Sequence, residues 1–286
     1  VRRAAQILQR WPQLGEPGAR LRRQYPLLAD WVDADITRLL EVVDWLQQHP
    51  DSDLYLRQLP IAGIDSKWVE SRRAVVADLL AGVRKRDGRD SLDALAGLRT
   101  APDRVRLRLL DPALRALMGG LEDLTVPVAQ LARMKLPVRQ VLIVENRETG
   151  LASGDLPGTL VLMARGYAVS FLERIEWLRP LPLFYWGDID THGLAILHRL
   201  RHYAPQTVAL LMDAETLRAT PRELWGHEEQ PQMAQRLDRL TPVEHAFYDA
   251  LRRGDFGPAP RLEQERIAWN HAWARIAAAL GSAAAD

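Results

Sequence analysis

Cysteine is absent from the 286 residues, which rules out disulfides and thiolate metal sites and suits a cytoplasmic protein. Lysine is nearly absent: Lys67, Lys85 and Lys135 are the only lysines among 38 basic residues, and the rest are arginine. Arginine's planar fork suits phosphate, although a GC-rich genome produces the same skew. No apolar run reaches the ~20 residues of a membrane span, and no signal peptide or internal repeat is visible. No G-x-x-x-x-G-K-[ST] occurs, so the chain does not bind ATP through a P-loop. The chain begins at Val1 rather than at a methionine, so an N-terminal piece is expected to be missing.

What is present has the composition of an ordinary globular protein, 47% apolar and 26% charged, with length enough for two domains. The net charge of +1 is unevenly spread. Residues 1–110 carry 19 Lys+Arg against 15 Asp+Glu, net +4, whereas residues 111–286 carry 19 against 22, net −3. Any capture of a polyanion is therefore expected to fall to the N-terminal part and to partners.

"DADITRLLEVVDWLQQH" (33–49) places Ile36, Leu39, Leu40, Val43 and Leu46 at helical spacing. A second helix is expected over 65–83, with Asp65 or Ser66 as N-cap. "RVRLRLL" (104–110) alternates strictly and reads as a half-exposed strand. Two helices and such a strand fit a winged-helix-like (CAP-like) domain. From about residue 138 the texture changes. Apolar runs at 139–146, 159–164, 181–190 and 207–213 alternate with helical patterns at 168–178 and 191–203. That order predicts an α/β fold with a parallel sheet flanked by helices. The last segments, 241–253 and 262–280, are expected to be helical. The expected division is 1–50, a helical segment; 51–137, the winged-helix-like DNA-binding region; and 138–286, the α/β domain.

In parallel sheets the working groups sit at the carboxyl ends of the strands, where Glu145, Asp188, Asp190 and Asp213 are expected. Asp188 and Asp190 in "FYWGDIDTHGLAIL" share a face if the strand runs through them. Two carboxylates that close repel each other. A divalent cation such as Mg²⁺ or Mn²⁺ removes the conflict, and Glu145 supplies a third oxygen donor. The helix opening at Thr191 would aim its N-terminus at a bound phosphate. The plain alternative is a polar loop and helix cap.

Five stretches in order, "LPIAGIDSKWVE", "LIVENRET", "YWGDIDTHGLAIL", "LLMDAETL" and "RLEQERI", resemble the JetD/MksG family of nuclease subunits in Wadjet anti-plasmid systems. The strand-end Glu and later "GDIDTHG" also look like the Toprim fold shared with topoisomerase VI A subunits. The family usually has a further N-terminal region. The resemblance implies a metal-dependent endonuclease cutting double-stranded plasmid DNA, partnered by an SMC/kleisin-type motor complex and acting as a homodimer. Carried over by position, Glu145, Asp188 and Asp190 are the catalytic and metal-binding acids. Topoisomerase VI cuts with a tyrosine, but Tyr25 and Tyr55 here stand in no nucleophilic setting.

His192 is a candidate phosphate contact, as are Lys67, Arg72 and Arg73 on the second helix. Each has a structural alternative, as a helix-start histidine or a solvated face. Glu263 or Glu265 could complete a second metal site, against an ion pair with Arg261 or Arg266. His198 and His202 lack the Glu of H-E-x-x-H, so a zinc site is disfavoured. A HAD-type phosphatase is a poor rival, because His192 stands where its threonine belongs and no lysine follows Lys135. A catalytically silent adaptor that docks DNA on the motor is the rival from another class.

Overall fold

In the computed structural model, which describes residues 2–15, 19–86, 88–164 and 169–283, the chain divides into two compact units, Val1–Ala101 and Pro102–Asp286. The boundary therefore falls near residue 101, not at the expected 50 and 137.

Every regular element described in the first unit is helical: α1 (Arg2–Arg10), α2 (Ala19–Asp30), α3 (Asp33–Gln48), α4 (Ser66–Ser71), α5 (Arg73–Val83) and α6 (Leu92–Ala96), with short 3₁₀ turns. Helix α3 has no side-chain cap, but Asp33 and Asp35 in its first turn favour the positive end of its dipole. It buries Ile36, Leu39, Val42, Val43 and Leu46, so Val42 takes the inward place expected of Leu40. The single helix expected over 65–83 is two. Asp65 caps α4 by accepting from the Trp68 amide at 2.7 Å, and the chain leaves helical geometry at Arg72 (φ −119°). There the guanidinium stands over the rings of Trp31 and Trp68 and pairs with Asp35.

The second unit is built on a six-stranded mixed sheet in the order β2-β1-β4-β3-β5-β6. The strands are β1 (Arg104–Leu109), β2 (Asp123–Pro127), β3 (Gln140–Val144), β4 (Thr159–Met163), β5 (Leu183–Trp186) and β6 (Val208–Ala209). Strands β4, β3, β5 and β6 run parallel. β3 and β4 are buried along their whole length, as continuous apolar runs in a covered parallel sheet should be. Strand β1 runs antiparallel to both β2 and β4. The alternating segment is thus a strand, with Val105, Leu107 and Leu109 buried, but it extends this sheet instead of forming a wing, and the winged-helix expectation is corrected. A buried neighbour, β4, gives those three apolar side chains a core that the helical unit does not offer them.

The flanking elements include α7 (Pro112–Leu117), α8 (Val128–Leu131), α9 (Arg147–Ala152), α10 (Thr191–Tyr203) and α11 (Ala214–Ala219). The helix expected at 168–178 is instead two 3₁₀ turns, Ser170–Arg174 and Glu176–Leu178, while its first residue lies outside the described residues. A small ladder, β7 (Gly226–His227) with β8 (Pro260–Arg261), joins α12 (Pro242–Arg253) and α13 (Trp269–Ala283) to complete the unit. Helix α12 opens on a capping box between Thr241 and Glu244. Among the described residues, no helix is long and apolar enough to cross a membrane.

Candidate active site

Strand β5 ends at Trp186, so the strand does not run through Asp188 and Asp190 as expected. A different pairing turns them to one side. Ile189 exchanges both backbone hydrogen bonds with Leu262, at 2.9 and 3.0 Å, and both side chains are buried. Because side chains alternate along an extended chain, Asp188 and Asp190 then face the same way beside Arg261 and Glu263. Glu145 follows β3, which is paired in parallel with β5, so it reaches the same carboxyl edge. Glycine is required at two places here. A Cβ on Gly187 would collide with the Tyr185 hydroxyl and the Glu145 carboxylate, and one on Gly193 with the Asp188 carbonyl oxygen.

Each acid has a defined partner. Asp188 accepts from the Gln264 amide N–H at 3.0 Å and from Arg261 at 2.9 Å. Asp190 caps α10 by accepting from Gly193 N–H at 2.7 Å, and its other oxygen lies 3.6 Å from Arg261 Nε. Glu145 accepts a hydrogen bond from the Tyr185 hydroxyl. Glu228 accepts from the backbone and hydroxyl of Thr191, while its Oε2 is buried without a partner. The N-terminus of α10, expected to receive a phosphate, is thus already occupied by two carboxylates.

Glu145, Asp188, Asp190 and Glu228, with Glu229 on the same cavity and Glu263 also drawing on Arg261, leave uncompensated negative charge around one guanidinium. Burial pushes Glu145 up to about 7, with Asp188 and Asp190 adding to the rise and the Tyr185 hydrogen bond opposing it. Burial likewise pushes Asp190 up to about 6, against the Gly193 hydrogen bond and with help from Glu228 and Asp188. Tyr185, fully buried, is raised well above the usual phenol value by burial and then by Glu145. It is a neutral donor at any physiological pH.

Among the described residues, no three His, Asp or Glu side chains stand closed around a point where an ion would sit. The Asp188 oxygens are turned to Arg261 and Gln264. The chemistry of the donor set nonetheless fits a hard divalent cation. All donors are carboxylate oxygens, the charge is in excess, and Glu228 Oε2 is an unpaired oxygen on the same cavity as Glu145, Asp188 and Asp190.

The other residues singled out in the sequence are dispersed. His192 lines the acid cavity, with Nε2 at 3.2 Å from the Pro231 carbonyl. Lys67, Arg72 and Arg73 belong to the first unit. Lys67 is exposed, but Arg73 pairs with Glu70 and Asp93. Arg72 is held between Asp35 and two tryptophans. Asp35 is kept below its usual range by the Trp68 indole N–H and then by Arg72. Arg72→Ala is therefore expected to destabilise the first unit by about 1–3 kcal/mol, seen as a lower urea midpoint, without weakening DNA binding. An unchanged midpoint with weakened binding would reverse that assignment. Glu263 pairs with Arg261 and Arg266, and Glu265 accepts from Asn146. His198 Nδ1 accepts from the Arg239 amide. Asp213 caps α11, and β6 stops four residues short of it.

Sequence reasoning missed Tyr185, Gln264 and Glu228. A tyrosine inside a buried apolar strand needs a partner for its hydroxyl, and that signal was available in "LFYW". Glu228 sits in a polar stretch, "GHEEQ", with no period or motif to mark it.

Comparison with known families bears on the same region. A family model described as "Wadjet protein JetD, C-terminal" matches residues 97–276, which include Glu145, Asp188, Asp190, Glu228 and Arg261. Another, described as "Uncharacterized protein conserved in bacteria N-term", matches residues 1–81. The junction between the two matches falls close to the boundary between the two units. No curated protein matches the chain.

Proposed function

Because the chain belongs to the JetD family, we propose that it is a metal-dependent DNA endonuclease with a Toprim-type site, the nuclease subunit of a Wadjet system. One observation carries this reading: Glu145, Asp188 and Asp190 meet at the carboxyl edge of parallel β3 and β5 with more negative charge than Arg261 offsets. Mg²⁺ or Mn²⁺ held by these three acids would supply Lewis-acid stabilisation of the phosphate and a water of lowered pKa. The chain's own residues do the rest. Tyr185 fixes the rotamer of Glu145, Gln264 holds Asp188, and Arg261 balances charge until a cation enters. Closed circular plasmid in the cytoplasm, delivered by an ATP-driven SMC/kleisin-type motor, is the substrate. A homodimer would bring two sites to the two strands.

Cleavage in this reading is hydrolytic. Tyr185 is buried and tied to Glu145, and Tyr25 and Tyr55 belong to the other unit, where the Tyr55 ring lies beneath Arg99. The cut DNA ends are therefore expected to carry no protein. Denaturing gels of cleaved ends before and after protease test this. A protease-sensitive adduct lost in a Tyr25 or Tyr55 variant would replace water by tyrosine as the nucleophile. The same plasmid assay, run with and without the motor subunits and ATP, should show efficient cutting of circles only with them.

A further inference from the structure

The antiparallel placement of β1 has a consequence for the substrate. In register, Thr125, Arg106, Met163, Val144 and Trp186 form one row across β2, β1, β4, β3 and β5. Since β1 runs against β4, its first residues lie at the carboxyl edge of β4 and β3, the edge that carries Glu145. Strands are spaced about 4.8 Å apart, so Arg106 lies only about 10 Å, two strand steps, from the row position that precedes Glu145. Arg104 lies further out along the same edge. The arginines of β1 that the sequence assigned to a basic N-terminal part are, in the fold, beside the acids.

These arginines differ in what they are free to do. Arg108 is committed to the carbonyl oxygens of Gly150, Leu151 and Ser153. Arg106 pairs with Asp123 yet keeps 32% of its side chain exposed. Arg104 is exposed and makes no ion pair among the described residues. Arg147, at the first turn of α9, is 53% exposed and, among the described residues, forms an ion pair with its own neighbour Glu148 alone. Arg104, Arg106 and Arg147 line one groove with Thr125 and Glu145, floored by Met163 and Phe171. Their fields overlap: Asp123 is held below its usual range first by its bond to Arg106, with Arg108 and Arg147 acting in the same direction. Glu145 also lines the cavity holding Asp188 and Asp190, so the groove leads directly to the acid cluster.

We propose that Arg104, Arg106 and Arg147 form a cradle for the phosphate backbone of duplex DNA, seating the strand next to the acids. Resting on the nuclease reading, it names the surface that reading lacks, because the acid cluster itself repels DNA. Guanidinium groups suit the task, since each presents a planar fork of donors to phosphate oxygens. Phosphates follow one another every 3.4 Å of axial rise along a strand, so a groove of this reach spans several.

The test is binding of a fluorescent DNA duplex by the full chain in EDTA, over a series of salt concentrations. Each phosphate contact contributes about 0.9 to the slope of log K against log[salt]. The double variant Arg104→Gln, Arg147→Gln removes no partner that the fold needs, and is expected to lower the slope by about 2 and weaken binding throughout. The lysine pair, Arg104→Lys with Arg147→Lys, should keep most of the slope, which separates lost charge from lost fold. Wild-type slope and affinity in the glutamine variant would overturn the cradle and leave the nuclease reading standing. So would absence of salt-dependent binding by the wild type itself. Conversely, no metal-dependent cutting by the wild type, with motor subunits and ATP supplied, would overturn the nuclease reading while the slopes judge the cradle separately.

Discussion

Asp188→Asn and Glu145→Gln are each expected to reduce metal-dependent DNA cleavage at least a hundredfold to a thousandfold, on the order of what losing one preorganised electrostatic contact costs. The substitutions keep shape and most hydrogen bonds. An amide oxygen at position 188 can still accept from the Gln264 backbone, and one at position 145 can still accept from Tyr185. What each removes is a negative charge from a cluster that already holds too many. Without metal, the Glu145→Gln protein should therefore melt at or above the wild-type temperature, because a carboxylate no longer has to be buried at position 145. Loss of cutting without loss of stability is the signature of a functional charge. Cleavage by either purified variant at the wild-type rate, under matched Mg²⁺ or Mn²⁺, would remove these acids from the mechanism.

The acids were legible because their position needs only the order of the strands. "RQVLIVEN" and "LPLFYWGDID" read as buried parallel strands ending in carboxylates, and β3 and β5 are neighbours in the sheet. Why Asp188 and Asp190 share a face was not legible. Their alternation depends on Leu262, 73 residues from Ile189 in sequence, and two apolar residues in separate short stretches give no pairing signal. The same long-range contact brings in Arg261 and Gln264, so the counter-charge of the site was invisible for the same reason.

Local signals fared well wherever local physics decides. Asp65 caps α4 as expected, and Asp190 caps α10, which was the plain alternative for that stretch, since a cap is a contact across three residues. The alternation of β1 was equally clear, but alternation states only that one face is buried, not which sheet does the burying. Its partner β4 lies more than fifty residues downstream. That non-local fact moved the domain boundary and carried three arginines from the DNA-capture unit to the unit of the acids. Arg72 and Arg73 have partners that were equally hidden. Basic residues on a helix read as a solvated or phosphate-facing surface, but folded neighbours 20 and 37 residues away claimed their charges.

Raising the pH of the metal-free protein from 5 to 7.5 is expected to lower its stability, opposite to the usual behaviour of paired carboxylates. Glu145 and Asp190 are raised by burial to about 7 and about 6, from ordinary values of 4.5 and 3.8. Between those limits the native state holds protons that the unfolded chain has released, so stability falls as pH climbs through the native values. The depressed carboxylates, Asp35, Asp53, Asp111, Asp123 and Glu244, act in the other direction, but chiefly below about pH 5, where their unfolded forms take up protons. Between pH 5 and 7.5 His198, lowered first by burial, opposes the trend, so the difference between the wild type and Glu145→Gln is what reports on the site. A divalent cation reverses the trend, because only the ionised carboxylates bind it. Its affinity should rise about tenfold per pH unit for each proton released, and the melting temperature with Mn²⁺ should rise where the metal-free one falls. Glu145→Gln serves as the reference: its own metal-free slope between pH 6 and 7 should be flatter than the wild type's, and subtracting its curve removes the histidine background and leaves the Glu145 contribution. Melting curves at several pH values, with EDTA and with Mn²⁺, measure all of this in one series. A metal-free melting temperature that climbs steadily to pH 7.5 in the wild type and in Glu145→Gln alike would mean that the acids are already ionised and satisfied, with no charge deficit for a cation to fill.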